Sequence, residues 1–139
     1  MFHFNNAFED QVLFSLSLVH FERITPDSLP HPLEIISADA VSISEKSEDM
    51  VQMFIERKIS FKPAGLFKIT VKYEVVWKPK DWQLIAEANN DQIIQAMVEE
   101  KRDFLGNIAS RTSLLISQLT ASLGLPPMIT PPEFDFKYA

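Results

Sequence analysis

At 139 residues the chain is long enough for one domain with a substantial core and too short for two of ordinary size. Its 46% hydrophobic and 23% charged residues are ordinary globular values, which argues against disorder. A net charge of -6 argues against broad attraction to nucleic acid or an anionic membrane, and the absence of cysteine excludes disulfides and fits a cytoplasmic protein.

Residues 1–8 carry Phe2, Phe4 and Phe8 without a clear period, so no element is assigned there. Residues 12–21 are the one segment resembling a signal-peptide core, but Glu9 and Asp10 stand where a basic segment belongs, so an exported protein is not expected. No run approaches the roughly 20 apolar residues that span a bilayer, and membrane insertion is not expected either. A first strand is predicted over residues 10–23, because Phe14, Leu16 and Leu18 alternate with Ser15 and Ser17 as a half-buried strand requires. Val19 and Phe21 then fall on the odd side. Either a bulge swaps the faces there, or apolar surface is exposed.

Residues 25–32 hold Pro26, Asp27, Ser28, Pro30 and Pro32, the composition of a crossover loop. A second strand over 33–44 alternates more weakly, and the charged stretch 45–49 makes a turn without glycine. The clearest strand signal covers residues 50–62, where Val51, Met53, Ile55, Ile59 and Phe61 alternate with Gln52, Glu56, Lys58 and Ser60. Only Arg57 breaks the apolar side. Pro63-Ala64-Gly65 reads as a hairpin turn into a fourth strand over 66–79, with Phe67, Ile69, Val71, Tyr73, Val75 and Trp77 on one face. These two strands should pair antiparallel, giving a sheet with one apolar face that something must cover.

Phe54 and Val76 are apolar exceptions on the polar face, joined by Leu13, Val19 and Phe21 if the first strand keeps its even side buried. Scattered, such residues are normal; as a contiguous set, these five are the candidate polypeptide-binding residues. Between residues 56 and 80, Arg57, Lys58, Lys62, Lys68, Lys72, Lys78 and Lys80 meet only Glu56 and Glu74. Single-strand nucleic-acid platforms place such charges beside aromatics, whereas parity points Phe67, Tyr73 and Trp77 away from Lys68, Lys72 and Lys78. A solvated, aggregation-resistant face is the better reading, and nucleic acid is not expected as a partner.

Residues 80–89 cross from sheet to helix. Asn90 can cap a short helix over 91–98, and a charged joint leads into a long helix over 101–123. Phe104, Leu105, Ile108, Thr112, Leu115, Ile116, Leu119 and Leu123 form its core stripe. The opposite side includes Gly106, Ser110, Ser113 and Ser117, and Arg111 is the only charge between residues 104 and 124. Small uncharged residues let a second helix approach, so these four are candidates for an oligomer interface; the alternative is that solvent or the tail covers them. Gly124 ends the helix, and Pro126, Pro127, Pro131 and Pro132 hold the tail, 125–139, extended, with Phe134 and Phe136 as anchors.

His3, His20 and His31 are isolated, no G-x-S-x-G elbow occurs, and three glycines cannot form a phosphate loop. The adjacent carboxylates Glu9-Asp10, Glu48-Asp49 and Glu99-Glu100 sit in polar contexts and read as solvated faces. Neither an enzyme nor a metal or other cofactor is expected.

The helix end Gly124-Leu125-Pro126-Pro127-Met128, followed by Thr130-Pro131-Pro132-Glu133-Phe134, resembles the close of the SecB-like export-chaperone family. With the order of strands and helices, the resemblance covers about residues 9–136 and points to a short branch of that family. It implies a single α+β domain: a four-stranded antiparallel sheet, meander with crossover, covered on one face by the long C-terminal helix. It also implies a cytoplasmic homo-oligomer, dimer or tetramer, whose apolar grooves hold unfolded polypeptide. The function expected from it is chaperone-like binding of non-native polypeptide, linked to protein export. The alternative is a structural or regulatory protein of the same fold that binds one specific folded partner.

Overall fold

Strict apolar alternation on two neighbouring strands creates a face that water cannot share, and the covering layer is built onto it. A computed structural model describes residues 1–24, 34–62 and 65–136. Its elements are α1 (Phe4–Ala7), β1 (Phe8–Ile24), β2 (Glu34–Lys46), β3 (Val51–Lys62), β4 (Leu66–Pro79), α2 (Trp82–Glu87), α3 (Asn90–Glu100) and α4 (Arg102–Ser122). The four strands form one antiparallel sheet in the order β1-β4-β3-β2. The β2-β3-β4 meander is therefore flanked by β1, which crosses over to lie beside β4. The crossover loop expected at residues 25–32 and part of the Pro63-Ala64-Gly65 turn lie outside the described residues.

On β3 and β4 the alternation is exact in burial: Val51, Met53, Ile55, Ile59 and Phe61 pair with Phe67, Ile69, Val71, Tyr73, Val75 and Trp77 to form the floor of the core. The layer above it comes from Phe4 and Ala7 of α1, Ile85 of α2, Ile93 and Met97 of α3, and Leu105, Ile108 and Ile116 of α4. Trp77 of β4 joins floor to layer, edge-on to Phe4 at 4.9 Å and to Phe104 at 5.2 Å.

The aperiodic N-terminus is ordered by partners remote in sequence. The Glu100 carboxylate accepts from the backbone N–H of Phe4 at 2.7 Å and of Asn5 at 3.1 Å, which satisfies the free donors of α1 and draws Phe4 under α3. Helix α2 occupies part of the stretch expected to be a crossing, with Asp81 as its N-cap. Helix α3 starts one residue earlier than expected: Asn89 is the cap, and its side chain and that of Gln92 satisfy each other's backbone N–H. Gly124, at φ 80°, closes α4 in a Schellman arrangement, with Gly124 N–H donating to Ala121 and Leu125 N–H donating to Thr120.

Arg57 occupies the one break in the apolar row of β3 and lies wholly inside the protein. A guanidinium removed from water needs an acceptor for every N–H. Its cross-strand neighbour Asp39 accepts from Nε at 2.8 Å and from Nη2 at 3.1 Å. The tail supplies the rest: Nη1 donates to the Thr130 hydroxyl and the Pro131 carbonyl, and Nη2 to the Glu133 carbonyl. The proline-rich tail is thus fastened over the β2-β3 half of the sheet, where Phe136 adds a single parallel bridge to Asp39. Asp39→Ala would leave a buried cation without its counter-charge, and a loss of about 3–5 kcal/mol of stability is expected, read from the urea midpoint.

Candidate functional site

Strand β1 differs from its neighbours in having apolar residues on both faces and little over either. Its register against β4 places Val12, Phe14 and Leu16 opposite Trp77, Val75 and Tyr73, on the covered face. A bulge between Leu16 and Leu18 then swaps the sides, so that Val19 and Phe21 oppose Val71 and Ile69 on that same face. Of the two readings open for this strand, the bulge is the one realised. Val19 and Phe21 therefore do not join Leu13, Val76 and Phe54. Phe21 instead stacks on Phe67 at 5.5 Å.

Helix α4 meets β1 at Phe14, through its first half. Phe104 meets Phe14 edge-on at 5.5 Å, and the Arg111 guanidinium lies 5.6 Å from the Phe14 ring centre, held there by the Asn107 side-chain carbonyl at 2.7 Å. Beyond that point Leu16 is 47% exposed and Val19 39% exposed, although both point to the covered side of the sheet. The half-buried strand expected from alternation is thus mostly open, because the covering layer is centred on β3 and β4. Among the described residues no strand pairs with the outer edge of β1.

On the opposite face Leu13, 76% exposed, pairs across to Val76, and Leu18 follows beside Lys72. Phe54 sits across from Glu74, with Lys72 Nζ 5.3 Å from its ring centre. Around them the face is charged: Lys72 and Lys58 both approach Glu56, and Gln52 donates to Glu74 at 2.7 Å. A hollow of about 520 Å³ opens beside Leu13 and Val76, with Asp49 and Lys78 at its rim. Leu13 and Val76 thus form an apolar pair across β1 and β4, and Phe54 lies one strand further in, on β3 beside Lys72. Alternation missed Phe14, Leu16 and Leu18, which it had assigned to a buried side. The available signal was that residues 12–21 have no continuously polar side at all.

The four helix positions considered for an oligomer interface divide. Ser113 donates to the Thr130 carbonyl at 2.8 Å, so part of this face is taken by the tail. Gly106 and Ser110 line a hollow of about 680 Å³ that α4 shares with Phe134 and Phe136. Ser117 is half-buried, and Leu114 beside it is exposed.

The basic residues of the β3-β4 hairpin face outward, apart from Arg57, while Phe67, Tyr73 and Trp77 face the core. No group of three or more His, Asp or Glu side chains among the described residues could hold a metal ion, and none of the described helices is long and apolar enough to cross a membrane.

No family model and no curated protein matches this chain. Among solved structures the chain is similar to Mycobacterium tuberculosis Rv1957, a SecB-like chaperone, in complex with a ChAD peptide from the Rv1956 HigA1 antitoxin. The TM-score is 0.56 at 10% identity, over 89% of this chain and 87% of that chain. The fold is thereby SecB-like.

Burial raises the Tyr73 phenol above its ordinary pKa of 10.0, and the nearby Arg111 charge opposes that shift. A raised phenol pKa means that the fold favours the neutral ring, so its contribution to stability is complete at neutral pH and lost as pH rises through the Tyr73 pKa. Arg111→Gln should move the Tyr73 transition in tyrosinate absorbance upward and make alkaline destabilisation begin no later than in the wild type.

Proposed function

We propose that the chain binds extended, non-native polypeptide along β1, as a chaperone-like holding protein. One observation carries this reading: β1 combines an edge without a strand partner among the described residues with exposed apolar side chains on both faces. An added strand would satisfy the β1 backbone by hydrogen bonds that do not depend on sequence. Its alternate side chains would meet Leu13 and Leu18 on one face and Phe14, Leu16 and Val19 on the other. Such a site reads apolar character and an extended backbone. The SecB-like fold supports the reading in kind.

A second reading is a protein dedicated to one specific partner. It is favoured by the solved neighbour, whose complex holds a peptide from a particular antitoxin. We also propose that the chain is a homo-oligomer through the uncharged side of α4. Its Ser110 and Leu114 stay exposed, Ser117 is half-buried, and Gly106 presents no side chain.

The wild type should suppress aggregation of several unrelated unfolded proteins, measured by light scattering at several-fold molar excess. Leu13→Ser with Leu16→Ser should weaken every client together, by at least about tenfold in affinity, since each side chain forfeits apolar burial on binding. Both residues are already exposed, so the unfolding midpoint should change little. Protection of no client would remove the chaperone reading, and protection of a single one would favour the dedicated partner. For the oligomer, Ser110→Lys with Ser117→Lys should lower the mass found by multi-angle light scattering to that of one chain. A monomeric wild type would end that proposal.

A further inference from the structure

The tail is fastened through its main chain and through two aromatic rings. Met128 N–H donates to the Thr120 hydroxyl at 2.9 Å, and the Thr130 carbonyl accepts from Ser113 at 2.8 Å. The Pro131 and Glu133 carbonyls accept from Arg57 at 2.6 Å and 2.9 Å, and Asp135 N–H donates to Asp39 at 2.9 Å. Five main-chain groups are therefore read, against one side-chain hydroxyl, that of Thr130. The two carbonyls taken by Arg57 lie either side of Pro132, and the chain bends at Pro132 and Glu133, which turns both toward the guanidinium.

Side-chain recognition comes from two rings, also two residues apart. Phe134 lies against the guanidinium, with Arg57 Cζ 5.2 Å from its ring centre, and Phe136 stacks on Phe134 at 5.1 Å. Both rings are only half-buried, and Pro131, Pro132, Glu133 and Asp135 are exposed. The hollow of about 680 Å³ between these rings and α4, floored by Val98 and Leu105, leaves the groove incompletely filled.

We propose that the Arg57-Asp39 groove is a second polypeptide site, held in cis by residues 128–136, and that a segment of another protein with aromatic residues two apart displaces the tail. The guanidinium is what an occupant reads. With the tail displaced, three of its five protein acceptors leave with it, and an incoming chain can offer carbonyls in their place. This inference is independent of β1.

The test uses the full chain carrying Phe134→Ser and Phe136→Ser, and a fluorescent peptide with the sequence of residues 128–136. A second peptide, built on alanine and glutamate, keeps only two phenylalanines two residues apart. Both should bind the variant, and a control with serine in place of both phenylalanines should not. The wild type should bind each at least about tenfold more weakly, because its tethered tail competes at a roughly millimolar effective concentration. Leu13→Ser with Leu16→Ser, added to both wild type and variant, removes the β1 contribution, and the difference of about tenfold between them should persist. Equal binding by wild type and tail variant, or no binding by a variant that circular dichroism shows folded, overturns the proposal. Loss of that difference on the added β1 changes would place the peptide on β1 and overturn it equally, while supporting the β1 reading.

Should the variant fail to fold, hydrogen exchange on the wild type decides. The Met128 and Asp135 amides should exchange through a local opening, at least about tenfold faster than those of β3. Exchange of these amides only with global unfolding overturns the proposal.

Discussion

A guanidinium buried in the apolar row of β3 constrains much of the remaining architecture. Arg57 is shut off from water by the sheet and the tail together, and Asp39 alone meets only two of its five donors. The other three are met by a segment more than seventy residues later in the chain. The course of the tail meets this requirement: α4 ends where its C-cap directs residues 128–133 back over the β2-β3 half of the sheet. Gly124 makes that reversal at positive φ, and Thr120 guides it by accepting the Met128 N–H.

The second constraint is width. Four strands spread over more surface than two long helices, two short ones and a tail can cover. The covering elements concentrate where alternation is strictest, on β3 and β4, and the flanking strands are left partly bare. On β2 this exposes Ile35 and Ile36, and on β1 it exposes apolar residues on both faces. An apolar edge strand left bare is an aggregation hazard in a protein without a use for it. The same physical property is what a binder of unfolded chains requires, because extended polypeptide offers unpaired backbone and alternating side chains in return.

The charged face contributes differently. Lys58, Lys72 and Glu56 form partly exposed pairs, which contribute little to stability but keep the β3-β4 outer face from pairing with other sheets. Leu13, Val76 and Phe54 interrupt that face, and Lys72 lies against the Phe54 ring, so charge and apolar surface meet there. The likeness to a SecB-like chaperone at 10% identity shows that such a sheet-and-helix arrangement is compatible with very different side chains.

Much of this was legible in residue order. Period-two alternation determined which sides of β3 and β4 are buried, since a one-residue slip would expose every apolar side chain of the row. Gly124 with its following prolines determined where α4 ends, and the aromatic–lysine parity of the hairpin determined that its rings and charges lie on opposite faces. Burial of β1 was not legible, because alternation reports which side a residue faces but not whether a layer exists above it. The bulge at Ser17 that returned Val19 and Phe21 to the covered side was one of two outcomes the sequence left open. Arg57 read as a mere interruption, since its acceptors lie 18 to 76 residues away and nothing local announces them. Phe4 under Glu100, and Ser113 on the Thr130 carbonyl, belong to the same class. Local periodicity is set by neighbouring residues along the chain, whereas coverage and the pairing of buried polar groups depend on segments that only the folded chain brings together.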